Sequence, residues 1–145
     1  MAVQSGEPLL RVEGVHVEFG GVVALDDLGF TVNAGEICAL IGPNGAGKTT
    51  TLRALCGMVR TRGEIRFGGE KIAGGATESI VRHGIAHVPE NRRLFAKLTV
   101  QDNLRMGAYT RSDAGGIAQD MEMVYAYFPI LRERSRQEAG LLSGG

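Results

Sequence analysis

Apolar and polar positions alternate in part from Leu9 to Phe19, stop at Gly20-Gly21 and resume from Val22 to Leu25, which predicts a strand interrupted by a turn. A second strand is predicted around Leu28 to Val32, ending in the turn cluster Asn33-Ala34-Gly35-Glu36. Ile37-Cys38-Ala39-Leu40-Ile41 has a different pattern. It is a continuous apolar run, as a parallel strand buried on both faces should be. Lys48 to Cys56 carries helix formers and stops at Gly57, a residue suited to the left-handed turn after a helix. Gly63 to Phe67 and Glu70 to Ile72 flank Gly68-Gly69, the pattern of a tight hairpin, and Ala73-Gly74-Gly75 reads as loop.

The second half reads differently. Thr77 to His83 predicts a short helix closed by Gly84, and Ile85 to Val88 a strand stopped by Pro89. Thr99-Val100-Gln101-Asp102 fits a capping box, so a helix should begin there and run to about Tyr109. After a loop from Arg111 to Gly116, the positions Ile117, Met121, Val124 and Phe128 recur at helical spacing up to Pro129. That stripe is read as a packing face. No internal repeat or low-complexity tract stands out. The change from strands to helices places a boundary near Glu90 to Leu98, dividing the chain into 1–92 and 93–145.

Composition narrows the classes of function. The 145 residues suffice for one core but not for two ample domains. Formal net charge is zero, which removes the electrostatic case for nucleic acid or for a polybasic membrane anchor. The longest apolar run is far shorter than the ~18 residues of a spanning helix, and no secretory signal is visible at the start. These features lead to the expectation of a soluble, intracellular protein. Cys38 and Cys56 form no C-x-x-C or metal spacing and are expected to be buried free thiols.

Chemistry is concentrated after the apolar run at 37–41. Gly42-Pro43-Asn44-Gly45-Ala46-Gly47-Lys48-Thr49 reads G-x-x-x-x-G-K-[ST], the phosphate-cradling P-loop. Glycines let the backbone curl so that successive N–H groups point at phosphate oxygens. Lys48 supplies a point charge to the outer phosphates, and the Thr49 hydroxyl can ligate Mg²⁺. The following helix aims its positive end at the same anion.

Further motifs carry a resemblance. Leu141-Leu142-Ser143-Gly144-Gly145 resembles the start of the ABC signature, LSGGQ in its usual form. The P-loop through Thr50 is similar to the ABC variant letter for letter. Phe19 precedes it by about the distance of that family's adenine-stacking aromatic, and Ile85-Ala86-His87-Val88-Pro89-Glu90 stands where the family has its Q-loop. Val88-Pro89-Glu90, Arg92-Arg93-Leu94-Phe95, Leu98-Thr99-Val100, Asn103-Leu104 and the stretch Val124 to Arg134 resemble ATP-binding subunits of branched-chain amino-acid importers.

The resemblance implies an α/β P-loop NTPase fold, the ABC nucleotide-binding domain. That fold has an N-terminal antiparallel β subdomain and a helical subdomain, and here it would be incomplete at the C-terminus. It implies a transport-coupled ATPase with ATP and Mg²⁺ as cofactors, peripheral on the cytoplasmic face of the membrane. The implied partners are membrane permease subunits, a second ABC ATPase subunit arranged head to tail and, indirectly, a solute-binding protein, with no nucleic acid. Residue by residue, Phe19 would stack on adenine, with a core aromatic at a strand end as the alternative. Gly42, Asn44, Gly45, Gly47 and Lys48 would wrap the β- and γ-phosphates, with Pro43 and Ala46 as the other cofactor-binding residues of the loop. Thr49 would ligate Mg²⁺, and Thr50 would contact the α-phosphate side. Ser143, Gly144 and Gly145 would touch the γ-phosphate held by the opposite subunit.

Lys48 and Glu90 are the implied catalytic residues, with Glu90 also a metal ligand. Most of the family carries glutamine at the Glu90 position, whereas the importer subgroup often carries glutamate. An ionised carboxylate only accepts hydrogen bonds, so Glu90 can hold Mg²⁺ or orient water but cannot donate to phosphate. Arg92 and Arg93 would lie near the permease groove, with Phe95 and Leu98 lining it. A solvated charged loop and ordinary packing are the respective alternatives. His16, His83 and His87 precede the signature, so none is the family's switch histidine. The second acidic strand, with its Asp and its general-base Glu, would follow Gly145, and about 100 further residues would complete the domain. An isolated chain ending at Gly145 is expected to expose apolar edges and to lack turnover. Related urea, amide or polar-solute importers and non-transport ABC ATPases remain the alternatives.

Overall fold

In the computed structural model, residues 8–90 and 93–142 are described. They fall into two compact units, one running to His87 and the other beginning at Val88.

The first unit is built on a four-stranded antiparallel sheet in the order β2-β1-β3-β4. The strands are β1 (Leu10–Phe19), β2 (Val22–Val32), β3 (Arg62–Phe67) and β4 (Glu70–Lys71). Val12, Val15 and Val17 of β1 are buried together with Leu25, Ile65, Ile72 and Ile80. The two strand pieces predicted around Leu25 and Leu28 are one strand, β2, which bends where Asp27 takes φ +50°. The β1–β2 register shifts three times between Val12 and Glu18. β1 bends with it at Gly14 (φ +59°), and Gly63 of β3 (φ +95°) fits against that bend. A Cβ on Gly63 would stand 2.3 Å from the Gly14 carbonyl oxygen. The bulge therefore needs glycine on both strands.

Helix α1 (Lys48–Leu55) lies against β2 and buries Thr51 and Ala54. It ends as Gly57 predicts. Gly57 adopts φ +66°, its N–H reaches the Ala54 oxygen at 3.1 Å, and the Met58 N–H reaches the Arg53 oxygen at 2.8 Å. That is the Schellman pattern. Helix α2 (Thr77–Arg82) follows the predicted hairpin and stops before Gly84.

Three expectations are corrected here. Ile37–Ile41 forms no strand, and Ile37 and Ile41 are 97% and 94% exposed. Ile85–Val88 likewise joins no ladder. A buried parallel strand requires hydrogen-bonding neighbours, and no described segment supplies one to either run. Cys38 is exposed for the same reason, whereas Cys56, at the end of α1, is buried as expected.

The second unit contains α3 (Val100–Met106), α4 (Ala114–Tyr127), α5 (Pro129–Glu133) and a 3₁₀ turn at Ala139–Leu141. α3 is capped by Thr99, whose hydroxyl accepts from the Asp102 N–H at 3.1 Å and donates to the Asp102 carboxylate at 2.5 Å. It ends at Met106, short of the predicted Tyr109, and continues as turns. Ile117, Met121 and Val124 are half-buried and line, with Leu104 and Ala108, a cleft of about 160 Å³. The last position of the stripe, Phe128, is exposed and serves as the junction at which Pro129 starts α5. Arg132 sits 4.9 Å from the Tyr125 ring centroid and pairs with Glu122. Among the described residues no helix is long and apolar enough to cross a membrane.

Candidate functional site

The loop from Gly42 to Thr49 leads into α1 and is fixed at its helix end. Gly47 is the N-cap of α1 with φ +84°, and a Cβ there would come 2.8 Å from the Ala24 carbonyl oxygen and 2.6 Å from Leu25 Cδ2. Only glycine allows so close an approach to β2 in that backbone conformation. The Thr51 hydroxyl donates to the Gly47 oxygen at 3.0 Å and ties the first turn to the loop. Within the loop, Gly45 has φ +86°, the Ala46 N–H reaches the Pro43 oxygen at 3.2 Å, and Gly42 lies against Ala46.

The start of α1 suits an anion. It has no side-chain cap and no acidic residue in its first turn. Its leading N–H groups thus have no intrahelical or side-chain acceptor, and no carboxylate within that turn opposes a phosphate. Lys48, half-buried, folds back over the loop and donates to the carbonyl oxygens of Gly42 and Pro43, both at 2.7 Å. An ammonium has three donors, so two are held by the loop. Asn44, Gly45, Ala46 and Thr49 are exposed and Thr50 is half-buried. The residues present therefore fit a phosphate group. Among the described residues no cluster of three His, Cys, Asp or Glu forms a metal site. A divalent ion here would rely on the Thr49 hydroxyl and on the phosphates themselves.

Phe19 is the last residue of β1, paired with Val22 across the Gly20-Gly21 turn, and is 47% exposed. A core aromatic is thus not what the structure shows. Glu90 is exposed at a bend after Pro89, in the second unit. Arg93, Phe95 and Leu98 are exposed in the same unit. Arg92, Ser143, Gly144 and Gly145 lie outside the described residues. The structure thus brings the loop residues together with α1.

A family profile described as ABC transporter matches residues 25–145. The chain belongs to the ABC transporter family. The ABC chain is 44% identical over 138 residues to the high-affinity branched-chain amino acid transport ATP-binding protein BraG of Pseudomonas aeruginosa, covering 94% of this chain and 59% of BraG. It is 38% identical over 140 residues to the Nod factor export ATP-binding protein I of Ralstonia nicotianae, covering 95% of this chain and 43% of that protein. Among solved structures, an ATP-binding cassette of an ABC transporter in its ADP conformation superposes with a TM-score of 0.69 at 28% identity. That match covers 95% of this chain and 60% of the other. The ABC chain therefore spans about 59% of the length of BraG, and its fold is that of an ABC nucleotide-binding domain with an antiparallel β part and a helical part.

One residue of consequence escaped the sequence reading. In the sequence Asn103 stands only as part of the importer-like string Asn103-Leu104. In the structure its Oδ1 accepts from the Phe95 N–H at 2.9 Å, and its two Nδ2 hydrogens are shared among the Thr99, Phe95 and Leu98 oxygens at 3.0, 3.1 and 3.4 Å. Its signal was an asparagine in the second turn of a short helix, where it is a poor helix former and an able partner for backbone groups.

Proposed function

We propose that the full protein is the ATP-binding subunit of an ABC importer that couples ATP hydrolysis to uptake of branched-chain amino acids. The observation that carries the nucleotide half of this reading is the open loop at 42–49, with glycine N–H groups, an uncapped helix start and Lys48 poised over it. The solute half rests on the 44% identity to BraG.

Binding exchanges partners at Lys48. The ammonium leaves two neutral carbonyl oxygens and takes an anionic oxygen, and charge-assisted bonds of this kind are about twice as strong. The loop N–H groups and the first turn of α1 would hold the phosphates, Thr50 would add a contact, and the exposed Thr49 hydroxyl would hold Mg²⁺. When bound, Mg²⁺ supplies charge neutralisation between phosphates. Phe19 would stack on adenine. Glu90 acts as an acceptor for metal or water, and Ser143, Gly144 and Gly145 serve the site of a second ATPase subunit. Permease subunits anchor the protein on the cytoplasmic face, and a solute-binding protein feeds them. The division 1–92 and 93–145 separates the nucleotide core from the helical part.

ATP-dependent uptake of leucine, isoleucine and valine by proteoliposomes holding the full-length subunit and its permeases tests this. Uptake of another solute with none of these three would replace the substrate. The Nod factor relative favours a second reading, an ABC ATPase serving a different transporter, which the same assay separates.

A further inference from the structure

Side chains of α3 and α4 line an open cleft of about 530 Å³, within the ~300–1,000 Å³ of small-molecule sites. α3 lends it Gln101 and Arg105, one turn apart. α4 lends Ile117, Ala118, Met121, Glu122 and Tyr125, which recur at helical spacing. Ile117 and Met121 are half-buried and make an apolar wall, and the short, exposed Ala118 leaves room beside them.

Three polar groups around that wall have unmet bonding capacity. Among the described residues no carboxylate pairs with the Arg105 guanidinium, which is exposed in the last turn of α3. Glu122 is held by Arg132 through Oε2, and its Oε1 has no partner among the described residues. Tyr125 is 8% exposed, and its hydroxyl is buried with no hydrogen-bond partner among the described residues. Buried hydroxyls ordinarily have one. Arg132 also lies 4.9 Å from the Tyr125 ring centroid. One side chain therefore positions both Glu122 and Tyr125 before any ligand arrives, which lowers the ordering cost of binding.

We propose that this cleft binds a small zwitterion with an apolar side chain, an α-amino acid of the leucine type. The Arg105 guanidinium takes the carboxylate, and Glu122 Oε1 takes the ammonium. The Gln101 amide and the Tyr125 hydroxyl are donors for the remaining carboxylate lone pairs. The side chain covers Ile117 and Met121 in place of water. A plain hydrocarbon would leave both cleft charges without a partner. A phosphate or other pure anion would meet Glu122 as a like charge. The assignment rests on the cleft and holds whichever solute the transporter carries.

Calorimetric titration of the full-length subunit with L-leucine, with permeases and solute-binding protein left out, tests this. Saturable binding is expected. Isopentylamine, which lacks the carboxylate, and isocaproate, which lacks the ammonium, should each bind at least about tenfold more weakly, the scale of one hydrogen bond to a charged group. Arg105→Gln should cost about tenfold for the same reason, and Ala118→Leu, which fills the cleft, should abolish binding. Both positions are exposed, so thermal midpoints should stay at the wild-type value and separate loss of ligand from loss of fold. An absence of saturable binding, an analogue that binds as tightly as leucine, or full binding by Ala118→Leu overturns the assignment. The transport reading survives that result, since ATP-dependent uptake by proteoliposomes tests it separately.

Discussion

The Lys48 ammonium and the Pro43 carbonyl oxygen are 2.7 Å apart, so the lysine braces the loop it serves. Lys48→Ala removes this brace, its twin to Gly42 and the charge offered to phosphate. Hydrogen bonds to a charged group are worth about 1.5–3 kcal/mol, which converts to a loss of MgATP affinity of about ten- to a hundredfold. Calorimetric titration of the full-length protein checks this, and unchanged affinity would remove Lys48 from the site.

Gly63→Ala sets a Cβ into the Gly14 carbonyl at a residue with φ +95°. Backbone cannot yield as a side-chain tip can, so a loss of at least about 2 kcal/mol is expected. Gly115→Ala has the opposite sign. Gly115 lies in α4 with open space around its Cβ position, and the change should stabilise that helix by about 0.5–1 kcal/mol. Denaturant midpoints of the two variants in the full-length protein should move in opposite directions.

Thr99→Ala deletes the acceptor for the Asp102 N–H at the start of α3. Loss of such a cap costs about 1 kcal/mol. Thr99→Ser keeps the hydroxyl and should retain most of it, as read by thermal unfolding.

The two thiols should separate under native alkylation. Burial pushes the Cys56 thiol up from its ordinary range, and Cys38 is exposed. The thiolate is the reactive form, so iodoacetamide should modify Cys38 first in this chain, with Cys56 following only on unfolding. Mass spectrometry of timed digests reads the order, and equal rates would contradict the burial of Cys56.

Local signals were the legible ones. Gly57, Gly68-Gly69, Gly84 and the Thr99 cap each sit where the structure ends a helix, turns a hairpin or starts a helix, because each meets a need confined to a few neighbouring residues. The phosphate loop was legible for the same reason. Ile37–Ile41 and Ile85–Val88 were not, since a parallel strand is defined by what lies beside it and an apolar run says nothing of its neighbours. The β2 bend was obscured because Asp26-Asp27 looks like a turn, yet a bulge absorbs it. Asn103 was hidden because its partners are backbone groups, which leave no mark on composition.

Among the described residues nothing pairs with the run at 37–41, so here the phosphate loop is held at one end only. Gly47 is pinned on β2, while the chain entering at Gly42 comes from an unpaired segment. A strand that pairs with Ile37–Ile41 would pin the other end, and where that favours the nucleotide-holding loop it raises the affinity for nucleotide. By reciprocity, nucleotide must strengthen that pairing by the same factor, which makes ligand affinity a gauge of how completely the sheet is assembled.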